Sequence, residues 1–435
     1  MKKVKLVLVL GLAVVLVAAF VLPGCAPPKE EVEPIKIGCS LALTGKYSWT
    51  GERYKEGLLV WQTQVNERGY SSGLEWCGHT EPGLIDGRPV EVIIYDDKSD
   101  PATGVKLYHK LITEDKVDLC FGPYSSAIAK AISTVVERYE MPTASCGASD
   151  PGIWGGNNLQ WMVQGMQPTD EYFPGVADIA AKMGAKTAAI IHEDTAFPIS
   201  LMNSFRGQLE AKGIEVVLCE AYPKGITDWT PILTKAMAAK PDVVGIGGYE
   251  PDSIGLTKAA QALKADAGIF VWTVGAGAPT YVEAVGDACY AMCCESLWEG
   301  ILNTPGNEEY LEDTHRIAGL PPEKHEYHTT FGYLAGQLME IAVKEVGAID
   351  KEAIRDTLFE MEVETVYGPY KVLPLDSPDS GFQTASKGLL IQWQPKKAGV
   401  EYPPGQVIVG DWVKEVIYPY ELATAEPIWP HPGWD

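Results

Sequence analysis

The sequence predicts an α/β protein made of two doubly wound parallel-sheet lobes. Three observations carry this. Strand-like alternation and helix-like spacing take turns from about residue 35 to 145, the same pattern restarts near 172 and runs to 273, and 435 residues at 46% hydrophobic are too many for one core. Such a series needs parallel strands whose crossover helices cover both faces of each sheet.

In order, Ile35, Ile37, Cys39 and Leu41 alternate as a strand, and Tyr54, Leu58, Trp61 and Val65 fall on one helix face. Val90–Tyr95 reads as the next strand, the segment after Pro101 as a helix, and Val117–Phe121 as a third strand. A helix from about Ser126 leads to a short strand near Pro142–Ser145. The second series pairs a helix over 172–183 with a strand over 186–192, then a helix over 199–212 with a strand over 214–219. It closes with a helix over 231–239, a strand over 242–247, a helix over 252–265 and a strand over 269–273.

Charge and the amino terminus narrow the setting. Thirty-five basic against 58 acidic residues give a net charge of −23, which disfavours a nucleic-acid partner. Lys2, Lys3 and Lys5 precede an apolar run from Leu6 to Leu22, the layout of a signal peptide over 1–24. Leu22-Pro23-Gly24-Cys25 resembles the lipobox of bacterial lipoproteins, which implies lipidation of Cys25 as the new first residue. Residues 25–34 then form the anchor and a tether, and the mature chain, three lysines poorer, carries −26. An extracytoplasmic domain held to the membrane by lipid alone is expected, since no later stretch is long and apolar enough to cross a bilayer.

Catalytic patterns are missing where they would be looked for, in the loops after strands. Gly38–Ser48 (GCSLALTGKYS) has the wrong glycine spacing for a phosphate loop and Tyr47 at the hydroxyl position. Gly275-Ala276-Gly277 lacks the third glycine of a dinucleotide fingerprint, and no Gly-x-Ser-x-Gly elbow occurs. His325 and His328 are three apart, the wrong interval for a helical zinc pair, and read as solvated histidines after the Pro321-Pro322 turn. Cys289, Cys293 and Cys294 cluster without a C-x-x-C, leaving a disulfide or free thiols open. No enzyme, cofactor or metal is expected.

Read together, the loops tell more. IKIGCSLALTGKYSWTGERYKEGL at 35–58, VEVIIYDD at 90–97, Ser99-Asp100-Pro101, FGPYSS at 121–126, SCGASDP at 145–151, GGYEPD at 247–252 and VYGP at 366–369 together resemble the periplasmic leucine/isoleucine/valine-binding proteins, which feed ABC importers. The resemblance implies a type I periplasmic-binding-protein clamshell joined by a three-segment hinge. One lobe would comprise 35–165 plus 300–368, the other 166–299 plus 369–435. It also implies a monomeric receptor that closes on a small solute and docks on a permease. Ser126 matches the serine that holds the solute's carboxylate, Gly147, Ala148 and Ser149 match the segment around its head group, and Phe197, Tyr249 and Trp49 match or adjoin aromatic positions near its side chain or amine. Trp154 and Trp161 read as core or hinge packing.

Two departures qualify this. The family glutamate that pairs with an amino acid's ammonium falls near Gly275, where no acid is present. Either Glu193, Asp194 or Glu250 substitutes for it, or the solute is an acid or amide without an amine. The family disulfide would join the positions of Ser99 and Ser125, and both are serines; the long connection at 70–88 adds Cys77, with no evident partner. A solute receptor is therefore expected, with a ligand sensor of the same fold and an anchored enzyme as the competing classes.

Overall fold

Ile35–Leu41 (β1) opens the first sheet, a run of apolar residues buried from both sides as a parallel core strand requires. In the computed structural model, which describes residues 32–77 and 81–434, the chain continues through helix α1 (Ser48–Arg68), β2 (Val90–Asp96), α2 (Pro101–Lys110), β3 (Leu119–Phe121), α3 (Ser126–Arg138), β4 (Thr143–Ser145) and β5 (Met162–Gln164). The five strands are parallel in the order β2-β1-β3-β4-β5. The expected signal peptide and Cys25 lie outside the described residues. No described helix is long and apolar enough to cross a membrane.

The second sheet begins after a crossing near residue 165. It comprises α4 (Pro174–Lys182), β6 (Thr187–Glu193), α5 (Ala196–Ala211), β7 (Glu215–Tyr222), α6 (Thr230–Ala238), β8 (Val243–Gly247), α7 (Glu250–Leu263), β9 (Ile269–Thr273), α8 (Pro279–Val285) and β10 (Cys293–Ser296). The chain then returns to the first lobe. There α9 (Asn307–Ala318) and α10 (Tyr327–Val346) pack on α1, and α11 (Lys351–Glu360) leads into the two-stranded ribbon β11 (Val363–Glu364) and β12 (Pro369–Tyr370). Finally β13 (Leu389–Pro395), β14 (Ile408–Val409) and β15 (Trp412–Tyr418) extend the second sheet antiparallel, giving β14-β15-β13-β10-β9-β8-β6-β7. These antiparallel strands were not anticipated from the sequence.

The contact of α1 with α10 is set by glycine. A Cβ on Gly57 would stand 1.9 Å from the Thr329 carbonyl oxygen, and one on Gly332 would stand 2.0 Å from that of Tyr54. The two backbones therefore touch. Below the crossing Trp61 donates its indole N–H to Glu340 at 2.9 Å, and Glu340 pairs with Lys344 at 2.7 Å in full burial, so the charge is compensated where water is excluded.

Two expectations need correction. Residues 369–386, assigned above to the second lobe, stay with the first: Ser380 Oγ donates to the Leu159 carbonyl, Gln164 N–H to that of Gly381 and the Gln383 amide to that of Gly165. The last crossing therefore falls near residue 387, where the side chain of Gln167 bonds the Lys387 carbonyl. His325 and His328 are not solvated, each being 1% exposed. His325 is enclosed by Trp298 and Tyr310, and burial pushes its imidazole down to about 3, so it is neutral. The eight described cysteines, Cys77, Cys289, Cys293 and Cys294 among them, are all free thiols; only Cys77 and Cys219 are less than fully buried. Ser99, at the family's half-cystine position, instead accepts from the Tyr47 N–H at 3.1 Å and donates to the Thr44 carbonyl at 2.9 Å, tying down the loop after β1.

Candidate functional site

The loops leaving the carboxyl ends of β3, β4, β6, β8 and β9 meet the start of α10, where two opposed open sheets are expected to bind a ligand. They border a small pocket whose empty space, counted out into open solvent, is about 280 Å³. From the first lobe come Tyr124, Ser125 and Ser126 after β3, Gly147 and Ser149 after β4, and Tyr327, His328 and Phe331 from α10; opposite them stand Phe197, Tyr249 and Val274. Met166 and Tyr172 line it from the crossing.

Four helices begin at this cavity: α3 at Ser126, α5 beside Phe197, α7 after Tyr249 and α10 at Tyr327. Each start brings free backbone N–H groups and the positive end of a helix dipole. Two are already answered by the chain, since Asp252 accepts from the Tyr249 N–H at 2.9 Å and Glu326 accepts from the His328 N–H at 2.9 Å. The starts of α3 and α5 have no side-chain cap. Ser126 Oγ accepts from the Ser149 and Asp150 N–H groups, both at 3.2 Å, which binds the two first-lobe loops together and leaves the hydroxyl proton to donate.

Apart from Ser125, Gly147, Ser149 and Val274, the rest of the wall is ring or thioether. Burial pushes the phenols of Tyr172, Tyr249 and Tyr327 well above their ordinary range, so they are neutral donors. Among the described residues, no Asp, Glu, Lys or Arg lines the cavity. The nearest acids stand one layer back. Glu295 is buried behind Tyr327, whose hydroxyl donates to it at 2.9 Å, and burial pushes its carboxyl up to about 7. Glu326 would be raised by burial too, but the adjoining imidazole of His328 and its N–H groups hold it below the usual range.

Ser126, Gly147, Ser149, Phe197 and Tyr249, all expected from the sequence, come together in this wall. Two expected residues do not. Ala148 turns into the core, its carbonyl facing the Gln164 amide at 3.4 Å, and Trp49 stands behind His328, with ring centroids 5.0 Å apart. Trp154 is core, bonded through its indole to the Met162 carbonyl, and Trp161 stacks under Arg355. Glu193, Asp194 and Glu250, the candidate partners for an amine, all stand outside the wall: Glu193 is bound by Lys46, Asp194 is exposed and Glu250 packs on Gly275. Gly275 could not carry the missing acid either, because its φ is +86° and a Cβ there would stand 2.5 Å from that of Glu250.

Two lobes closing on one small cavity define a solute-binding receptor. Residues 34–392 match the periplasmic binding protein family, and the chain belongs to it. It is 24% identical over 428 residues to Leu/Ile/Val-binding protein homolog 7 of Brucella melitensis, covering 91% of this chain and 97% of that one. Its fold matches an R. palustris ABC-transporter solute-binding protein in complex with 4-hydroxybenzoate (TM-score 0.73, 21% identity, 92% and 99% covered). It likewise matches a leucine-binding protein of Thermotoga maritima (TM-score 0.72, 19% identity, 89% and 100% covered). The chain is thus an extracytoplasmic solute receptor of an ABC importer and not an enzyme.

Proposed function

We propose that the receptor carries a small monocarboxylate with a flat apolar body and no amine, of the benzoate class. One observation carries the reading: the cavity offers two uncapped helix starts and the Ser126 hydroxyl to an anion, aromatic faces to the rest, and no acid to an ammonium. An ammonium enclosed without a counter-charge would cost several kcal/mol, whereas a carboxylate at free N–H groups is met by charge-assisted bonds. Ser126 and Ser149 hold the carboxylate, and Phe197 and Tyr249 close on the ring from the other lobe. The R. palustris neighbour, whose structure contains 4-hydroxybenzoate, supports this class.

The lobes comprise 35–165 plus 300–386 and 166–299 plus 387–435, and the solute shifts an open–closed equilibrium because only the closed state lets both sides touch it. Cys25 carries the lipid, and the receptor acts as a monomer; loss of lipid labelling in Cys25→Ala checks the anchor.

The test is calorimetry on residues 26–435 with benzoate, 4-hydroxybenzoate, phenylalanine and leucine. Binding of the first two without the amino acids is expected. Binding of leucine alone would return the chain to the amino-acid carriers that its Brucella relative is named for.

A further inference from the structure

Lys46, in the loop between β1 and α1, extends from the first lobe to the second. Its ammonium pairs with Glu193, stands 2.9 Å from Asp252 Oδ2 and lies 5.4 Å from the ring centre of Tyr249, a cavity wall residue. Its side chain is 12% exposed, and those of Glu193 and Asp252 are 0% and 3%. Both acids are held by their own lobe: Thr195 Oγ1 donates to Glu193 at 3.1 Å, and the Tyr249 N–H donates to Asp252. The cation is held by the other, since Ser99 fixes the loop that presents it. Tyr47, next in sequence, packs on Tyr249 with centroids 4.5 Å apart, and Lys224 of the second lobe lies 4.5 Å over the ring of Tyr47.

Two neighbouring acids buried without a cation are unfavourable, so the second lobe needs a positive charge on this face when water leaves it. We propose that Lys46 is a specificity-determining residue, whose ammonium crosses the cleft on closure to neutralise Glu193 and Asp252 in place of an ammonium on the solute. The inference rests on the amine-free reading of the solute, and its experiment is built so that the two can fail separately.

The experiment compares wild type with Lys46→Ala, both as residues 26–435, titrated with benzoate and with leucine in the presence of potassium, tetramethylammonium or ethylammonium chloride. Expected is a benzoate affinity at least about tenfold weaker in Lys46→Ala, as for loss of one partner of a buried charge pair. Ethylammonium, which fits the vacated volume, should restore part of it, and the other two salts should not. Recovery equal in all three salts, or unchanged affinity, overturns the proposal. If Lys46→Ala does not fold, the triple variant Lys46→Met/Glu193→Gln/Asp252→Asn removes all three charges together. It supports the proposal by binding benzoate without any ethylammonium effect, and opposes it by showing one. Leucine bound by wild type in place of benzoate overturns the solute reading, and the ethylammonium pattern, then read with leucine, still decides the role of Lys46.

Discussion

At the scale of single residues, the cavity is governed by where a proton or charge can rest. Ser126 ties two loops and offers its hydroxyl at a helix start, so Ser126→Ala should weaken benzoate binding by about 1–3 kcal/mol, roughly five- to 150-fold, by calorimetry. Unchanged affinity would remove it from the site. Glu295 gives a pH dependence with a definite sign. Its folded carboxyl keeps its proton to about 7 against 4.5 for an ordinary glutamate, because it is buried. A raised folded value contributes stability that is complete below 4.5 and is lost as pH rises through about 7. The melting temperature of wild type should therefore fall relative to that of Glu295→Gln between pH 5 and pH 8, and parallel profiles would contradict the burial argument.

At the scale of elements, the α1–α10 crossing is where backbone geometry is least forgiving. Gly332→Ala brings a methyl within 2.0 Å of the Tyr54 carbonyl and should cost about 1–3 kcal/mol or more, seen as a lower urea midpoint. Gly207→Ala in α5 meets nothing within 4 Å on an exposed face, and should be neutral or stabilising by up to about 1 kcal/mol. The elements also show what a sequence conveys. Long apolar runs such as Ile35–Leu41 and Ile269–Thr273 announce themselves by pattern, whereas β5 is three residues long and leaves no periodicity to detect. Wall residues after β3, β4, β6 and β8 were legible through the resemblance to the Leu/Ile/Val-binding proteins, in keeping with loops after parallel strands being where ligands bind. Tyr327, His328 and Phe331 were not, because a histidine pair beyond two prolines looks like solvated turn. Only the fold returns that stretch, some 200 residues downstream of Ser126, to the cavity. The aromatic pair Tyr327 and Phe331, one helical turn apart behind the capping Glu326, was the signal that could have been used.

At the scale of the molecule, a net charge of −23 opposes the approach of any anionic solute even though the cavity favours one. Association of benzoate, followed by stopped-flow tryptophan fluorescence, should accelerate as ionic strength rises from about 0.01 to 0.15 M, over which the screening length falls from roughly 30 to 8 Å. A rate that falls with salt would mean that the local field of the helix starts reaches into solvent and dominates.

The two partly exposed thiols have a practical consequence of their own. Cys77 follows α1 in one lobe and Cys219 lies in β7 of the other, while the remaining described cysteines are sealed in the cores. The receptor thus carries native attachment points for a donor and an acceptor dye, one on each side of the cleft. Burial pushes the Cys77 thiol up to about 11, so a first dye applied at neutral pH should leave Cys77 unmodified and a second should reach it only under more alkaline conditions. Sequential labelling in that order would make opening and closing visible as energy transfer in single molecules, without an engineered cysteine.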